Sequence, residues 1–158
     1  MALRLMFDTN IFDRVAELDG LIERLRSLGE TEAIEILTTH IQRDELAAIP
    51  DAKKREAVAG IPTTMIPTSG AVWGASRWDE ATWGDGAGDV LLNDVKTPSG
   101  SHVHDALIAT TAAASCDILV THDERLRGRI AAVGSKLSVL DFADFLRLIE
   151  SIDHAAGN

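Results

Sequence analysis

The chain opens Ala2-Leu3-Arg4-Leu5-Met6-Phe7-Asp8-Thr9-Asn10, and the change of character inside that stretch decides the fold. Residues 2–7 form a short apolar run, the mark of a buried strand, and it stops abruptly at three polar residues. Directly beyond it Phe12, Val15, Leu18, Ile22, Leu25 and Leu28 recur at steps of three and four. That spacing predicts one amphipathic helix running to about Gly29. A strand that hands over at once to a helix is the first half of a βαβ unit, and the rest of the chain repeats the alternation.

Residues 35–39 read as a second short strand, and Thr39 is placed to cap a helix that runs to about Ile49, where Pro50 stops it. Residues 53–60 are helical with a basic first turn, and residues 61–67 are β-leaning between prolines, a short third strand. Residues 68–101 are rich in Gly and hold all three Trp (Trp73, Trp78, Trp83); helix is expected near 71–77 and loop at 84–88 and 97–101. Order returns with an Ala- and Thr-rich helix over 103–114, then a strand over 117–121. A helix over 123–133 follows, closed by Gly134, and residues 137–140 form the last strand. Phe142, Phe145, Leu146, Ile149 and Ile152 stripe a final helix capped by Asp141.

Strands alternating with helices imply a parallel sheet covered on both faces, a three-layer α/β/α architecture. The 158 residues suit one domain, taken as residues 1–153 with a polar tail over 154–158. A single cysteine, Cys116, excludes an intramolecular disulfide framework and a Cys-rich zinc site, which points to the cytoplasm. Asp8 comes too early for a secretory signal, and no apolar run nears the 18 or so residues that span a bilayer. The balance of 25 Asp+Glu against 15 Lys+Arg, a net charge of −10, argues at face value against a nucleic-acid partner.

Ligands of such sheets bind at the carboxyl ends of the strands, so those ends are where chemistry is sought. The first strand ends in Asp8 and Asn10, the fourth in Thr121-His122-Asp123. Glu45 falls in one helical row with Ile41 and Ile49, so it should face inward and require a nearby cation or a raised pKa. Asp44 looks less inward. Asp105 sits in the first turn of its helix, where the dipole keeps it ionised. Taken alone, Asp8 and Asp123 read equally well as helix caps, whereas Asp105 reads better as a first-turn acid than as a catalytic one and His104 better as a surface residue than as a ligand. Together the four acids would repel one another unless a cation sat among them, and an all-oxygen set suits Mg²⁺ or Mn²⁺. The chemistry implied is phosphodiester hydrolysis by an activated water.

These residues resemble the PIN-domain nucleases, and within them the VapC-like toxins of toxin–antitoxin pairs. The resemblance rests on Phe7-Asp8-Thr9-Asn10, Asp44-Glu45-Leu46, His104-Asp105-Ala106-Leu107-Ile108-Ala109 and Leu119-Val120-Thr121-His122-Asp123, in that order, and covers roughly residues 1–150. It implies a five-stranded parallel sheet in order 3-2-1-4-5 and endonucleolytic cleavage of RNA dependent on Mg²⁺ or Mn²⁺. It makes Asp8, Glu45, Asp105 and Asp123 the metal-binding and catalytic acids, with Asn10 and Thr121 in support. A homodimer inhibited by a cognate antitoxin is implied as well. The segment 68–101 is longer and richer in Gly and Trp than that family's pattern.

Candidate RNA contacts are Lys53, Lys54, Arg55, Arg125, Arg127 and Arg129, each of which reads equally well as part of a solvated helix face. Three alternatives stand beside the toxin reading. One is a PIN-like module that binds RNA or protein without catalysis, and another is a housekeeping nuclease with no antitoxin. The third, a phosphatase- or receiver-like domain with Asp8 as phospho-acceptor, is disfavoured because Asn10 stands where such phosphatases place a second Asp. The acidity also changes meaning: the four acids set aside leave 21 against 15 bases, so RNA would be held through metal and local basic clusters. The remaining acidic surface suits a basic partner segment.

Overall fold

A computed structural model of the chain describes residues 1–69, 81–82 and 103–156. The expected helix and loops between residues 70 and 102, and all three Trp, lie outside those residues. Five strands form a parallel sheet: β1 (Leu3–Phe7), β2 (Ile34–Thr38), β3 (Thr64–Met65), β6 (Ile118–Val120) and β7 (Ser138–Leu140). Two further strands, β4 (Thr68–Ser69) and β5 (Ala81–Thr82), pair with each other, also in parallel. The order β3-β2-β1-β6-β7 places the first strand at the centre. Counting the five sheet strands alone, this is the succession 3-2-1-4-5; the small β4–β5 pair shifts the labels.

Strand β1 is buried on both faces, as a central parallel strand must be. Leu5 and Phe7 point into one core with Ile11, Phe12, Val15, Leu25, Val58, Phe145 and Ile149. Met6, alternating to the other side, joins a second core with Leu37, Ile41, Leu107, Ala109, Leu119 and Ile130. Phe7 anchors the first core, edge-to-face with Phe12 at 5.5 Å and with Phe145 at 5.2 Å.

The helices are α1 (Thr9–Glu17), α2 (Leu21–Glu30), α3 (His40–Ala47), α4 (Ala52–Ala59), α5 (Val103–Ser115), α6 (Glu124–Ala132) and α7 (Phe142–Ala156). Two boundaries correct the sequence reading. The single helix expected to run to Gly29 is two, because Leu18 turns extended (φ −93°, ψ 115°) and Gly20 takes φ +77°, a left-handed turn that favours glycine. Leu18, counted in the apolar stripe, is consequently 41% exposed. Helix α3 ends at Ala47 rather than near Ile49, so Ile49 does not share a helical row with Glu45. The last helix continues through Ala156. Elsewhere the turn chemistry acts as read: Gly134 adopts φ +69° just beyond α6, and Asp141 Oδ1 accepts from the Asp144 N–H at 2.8 Å at the start of α7.

Cys116 follows α5 half-buried, and burial pushes its thiol up to about 12. The folded protein should therefore react with a disulfide reagent at pH 8 far more slowly than the urea-unfolded chain. Equal rates would mean that the fold does not shield this thiol.

Candidate functional site

Two adjacent central strands, β1 and β6, end side by side, and the Asp8 N–H extends their pairing by donating to the Val120 carbonyl at 2.9 Å. Asp8 is half-buried. It caps α1, with Oδ1 accepting from the Thr9 N–H at 2.8 Å and Oδ2 accepting from the Thr121 hydroxyl at 2.9 Å. Thr121 is fully buried, and the same Oγ1 accepts from the Asp123 N–H at 3.0 Å. One hydroxyl thus ties the first strand's acid to the turn that carries the second. Asp123 is exposed and caps α6 through the N–H groups of Arg125 (2.8 Å) and Leu126 (3.1 Å). The capping role and the place at the strand edge belong to the same side chain.

Burial raises the Asp8 carboxyl above its ordinary value, against the opposing bonds from Thr121 and Thr9. The negative charges of Asp123 and Glu45 push it further up. Asp8, at the end of β1, therefore feels the charges of an acid from α3 and of one that follows β6. Glu45 is reached by both neighbours of the edge: Thr9 Oγ1 donates to its Oε2 at 2.5 Å, and His104 Nδ1 lies 2.9 Å from its Oε1. The Glu45 side chain is 34% exposed, so the expectation of an inward acid is met in part. The imidazole of His104 is the neighbouring basic group. Asp44, exposed, turns to Arg43 at 3.4 Å. Asp105 is half-buried in the first turn of α5, one residue beyond the His104 that meets Glu45.

Among the described residues no three His, Cys, Asp or Glu side chains converge closely enough to form a metal cluster. Asn10 is exposed in the first turn of α1, with no side-chain hydrogen bond to another described residue. Of the basic candidates, Lys54 is held by Asp13 at 2.9 Å, and Arg55 donates from Nη1 to the Ile49 carbonyl at 2.7 Å. Lys53 and Arg125 are exposed, while Arg127 and Arg129 are half-buried on α6, the helix that starts beside Asp123. A cleft of about 610 Å³ lined by Ala2, Arg26, Glu32, Pro62 and Thr64 contains none of the four acids.

Three participants were not singled out from sequence: Thr9, Gln42 and the pairing of His104 with Glu45. Gln42 is fully buried; its Oε1 accepts from the Thr39 N–H at 2.8 Å and its Nε2 donates to the Phe7 carbonyl. The Thr39-to-Gln42 spacing of a capping box was present in the sequence.

No family model matches the chain, and no curated protein matches it. Among solved structures, it is similar to a chain in the crystal structure of VapBC2 from Rickettsia felis bound to a DNA fragment from their promoter. The TM-score is 0.51 at 15% identity, covering 88% of this chain and 98% of that one. At that identity the likeness is one of fold.

Proposed function

We propose that this chain is a divalent-metal-dependent endoribonuclease of the PIN type, the toxin of a toxin–antitoxin pair. The observation that carries the proposal is Asp8: a half-buried carboxylate at the carboxyl end of the central strand, with Asp123 and Glu45 close enough to raise it further. Mutual repulsion of that kind is what a divalent cation relieves. The donors are hard oxygens, which suits Mg²⁺ or Mn²⁺. Mg²⁺ is commonly held by one or two carboxylates and keeps several waters, so it does not require three side chains to converge. Asp8 and Asp123 would hold the ion directly, with Glu45 and Asp105 meeting it through its bound waters.

An ion bound there supplies water activation at neutral pH and offsets charge on the phosphoryl oxygens. The chain's own residues do the rest. Thr121 fixes the Asp8 rotamer, Thr9 and His104 orient Glu45, and Arg125, Arg127 and Arg129 offer cations to an RNA backbone beside Asp123. The fold neighbour comes from a VapBC2 complex on promoter DNA, which supports a cognate antitoxin as partner here. A homodimer and a cytoplasmic site of action belong to the same reading. Among the described residues no helix is long and apolar enough to cross a membrane.

The test is incubation of the purified chain with single-stranded and structured RNA. Cleavage with Mg²⁺ or Mn²⁺ that is abolished by EDTA is expected, as is growth arrest on expression. RNA that stays intact at every metal concentration, but is still retained by the protein, would instead establish the non-catalytic binding module.

A further inference from the structure

The last paired residues of β1 and β2 are Met6 and Leu37, so the Phe7 carbonyl lies one step past the ladder on that side. The Gln42 amide takes it, extending the hydrogen bonding with a side chain from α3 in place of a strand. Its oxygen is fixed in turn by the Thr39 N–H (2.8 Å) and hydroxyl (3.0 Å). Phe7 is the residue before Asp8, and Gln42 lies three residues before Glu45, one turn along the same helix. A second connection runs from Thr9, the residue after Asp8, to the Glu45 carboxylate.

We propose that Gln42 and Thr9 are positioning residues that set the separation of Asp8 and Glu45, and so the ion affinity of the carboxylate centre. This rests on the metal-dependent reading above. A capping residue needs only its acceptor; the N–H that Gln42 spends on the Phe7 carbonyl is surplus to capping, and it reaches across 35 positions of sequence to the strand end. A fully buried amide with both ends bonded has little freedom to let the two elements drift. Groups that orient metal-binding side chains commonly govern about 10–100-fold in metal affinity or activity.

The experiment is isothermal titration of the full chain with Mn²⁺ at 25 °C, comparing wild type with Gln42→Met, Thr9→Val and Thr39→Val, and circular dichroism confirming the fold of each. Gln42→Met conserves length and helix propensity while removing both the donor to Phe7 and the acceptor for Thr39. Thr9→Val is close to isosteric and acts from the rim of the site, so it serves should Gln42→Met fail to fold. Both should weaken Mn²⁺ binding about 10–100-fold. Thr39→Val removes one bond to the Gln42 oxygen but leaves it held by the Thr39 N–H (2.8 Å) and the Thr38 hydroxyl (3.3 Å), with the amide still on the Phe7 carbonyl, so it should keep the wild-type affinity. Unchanged affinity in Gln42→Met and Thr9→Val overturns the inference, as does an equal loss in Thr39→Val, which would reduce Gln42 to a helix cap. If wild type binds no Mn²⁺, the metal centre itself falls and the positioning role with it.

Discussion

Asp8→Asn should abolish metal-dependent RNA cleavage and, without metal, raise the melting temperature at pH 7. The two effects share one cause. Asp8 is half-buried beside Asp123 and Glu45, so its folded-state pKa is raised, chiefly by burial. The folded protein then holds the Asp8 proton more tightly than the unfolded chain does, and stability falls as pH climbs from the unfolded carboxylate value, about 3.9, through the folded one. At neutral pH the ionised group is a net cost to the fold. Asparagine removes the charge, can still accept from the Thr9 N–H, and is as good a helix cap as aspartate. The stability gain should vanish in acid below both pKa values, where Asp8 is neutral in either state.

Charge offset on the phosphoryl group is worth several kcal/mol, so loss of the ion should cost about two orders of magnitude in rate or more. Mn²⁺ should raise the melting temperature of wild type and leave Asp8→Asn unmoved. Melting curves at pH 3 and 7, with and without Mn²⁺, alongside a cleavage assay, check each part. Full activity in the variant, or a variant less stable than wild type at pH 7, would remove Asp8 from the centre proposed here.

The centre of the main sheet was legible because β1, β2 and β6 are short apolar runs that end in polar residues, as at Phe7-Asp8 and Val120-Thr121. A buried parallel strand needs little more. The break at Leu18 was hidden by the regularity of its surroundings: Val15, Leu18, Ile22 and Leu25 keep helical spacing through a turn that Asp19-Gly20 announces only locally. The acids at the strand ends could be located from topology alone, because every parallel strand delivers its last residue to the same edge. Their partners could not. Thr9 to Glu45 spans 36 positions and His104 to Glu45 spans 59, and neither periodicity nor capping rules constrain pairs brought together by the packing of different elements. Gln42 shows both sides: its bond to Thr39 is a local motif, and its bond to Phe7 exists only because α3 folds back over the end of β1.

Phe145→Ala should be the most damaging single change among those that leave the carboxylates untouched. Phe145 is fully buried on α7, and its ring meets Phe7 edge-to-face at 5.2 Å, 76° between planes. Phe7 in turn contacts Phe12, so three elements (β1, α1 and α7) meet at one aromatic cluster directly beneath Asp8 in the chain. Truncation to alanine loses the transfer energy of the ring and leaves a cavity beside the Phe7 and Phe142 rings, about 3–5 kcal/mol in all. For a chain of this length a loss of that size lowers the melting temperature by on the order of 10 °C. Phe145→Leu keeps most of the volume and should cost far less, since the aromatic pairing adds only about 0.5–1.5 kcal/mol beyond area. Denaturant and thermal melts of the two variants give the comparison. If alanine and leucine at 145 prove equally mild, α7 does not seal this face of the sheet. With the expected contrast, residual metal binding by folded Phe145→Leu should match wild type, because Gln42 meets the Phe7 carbonyl along the hydrogen-bonding direction of the sheet and does not depend on the ring.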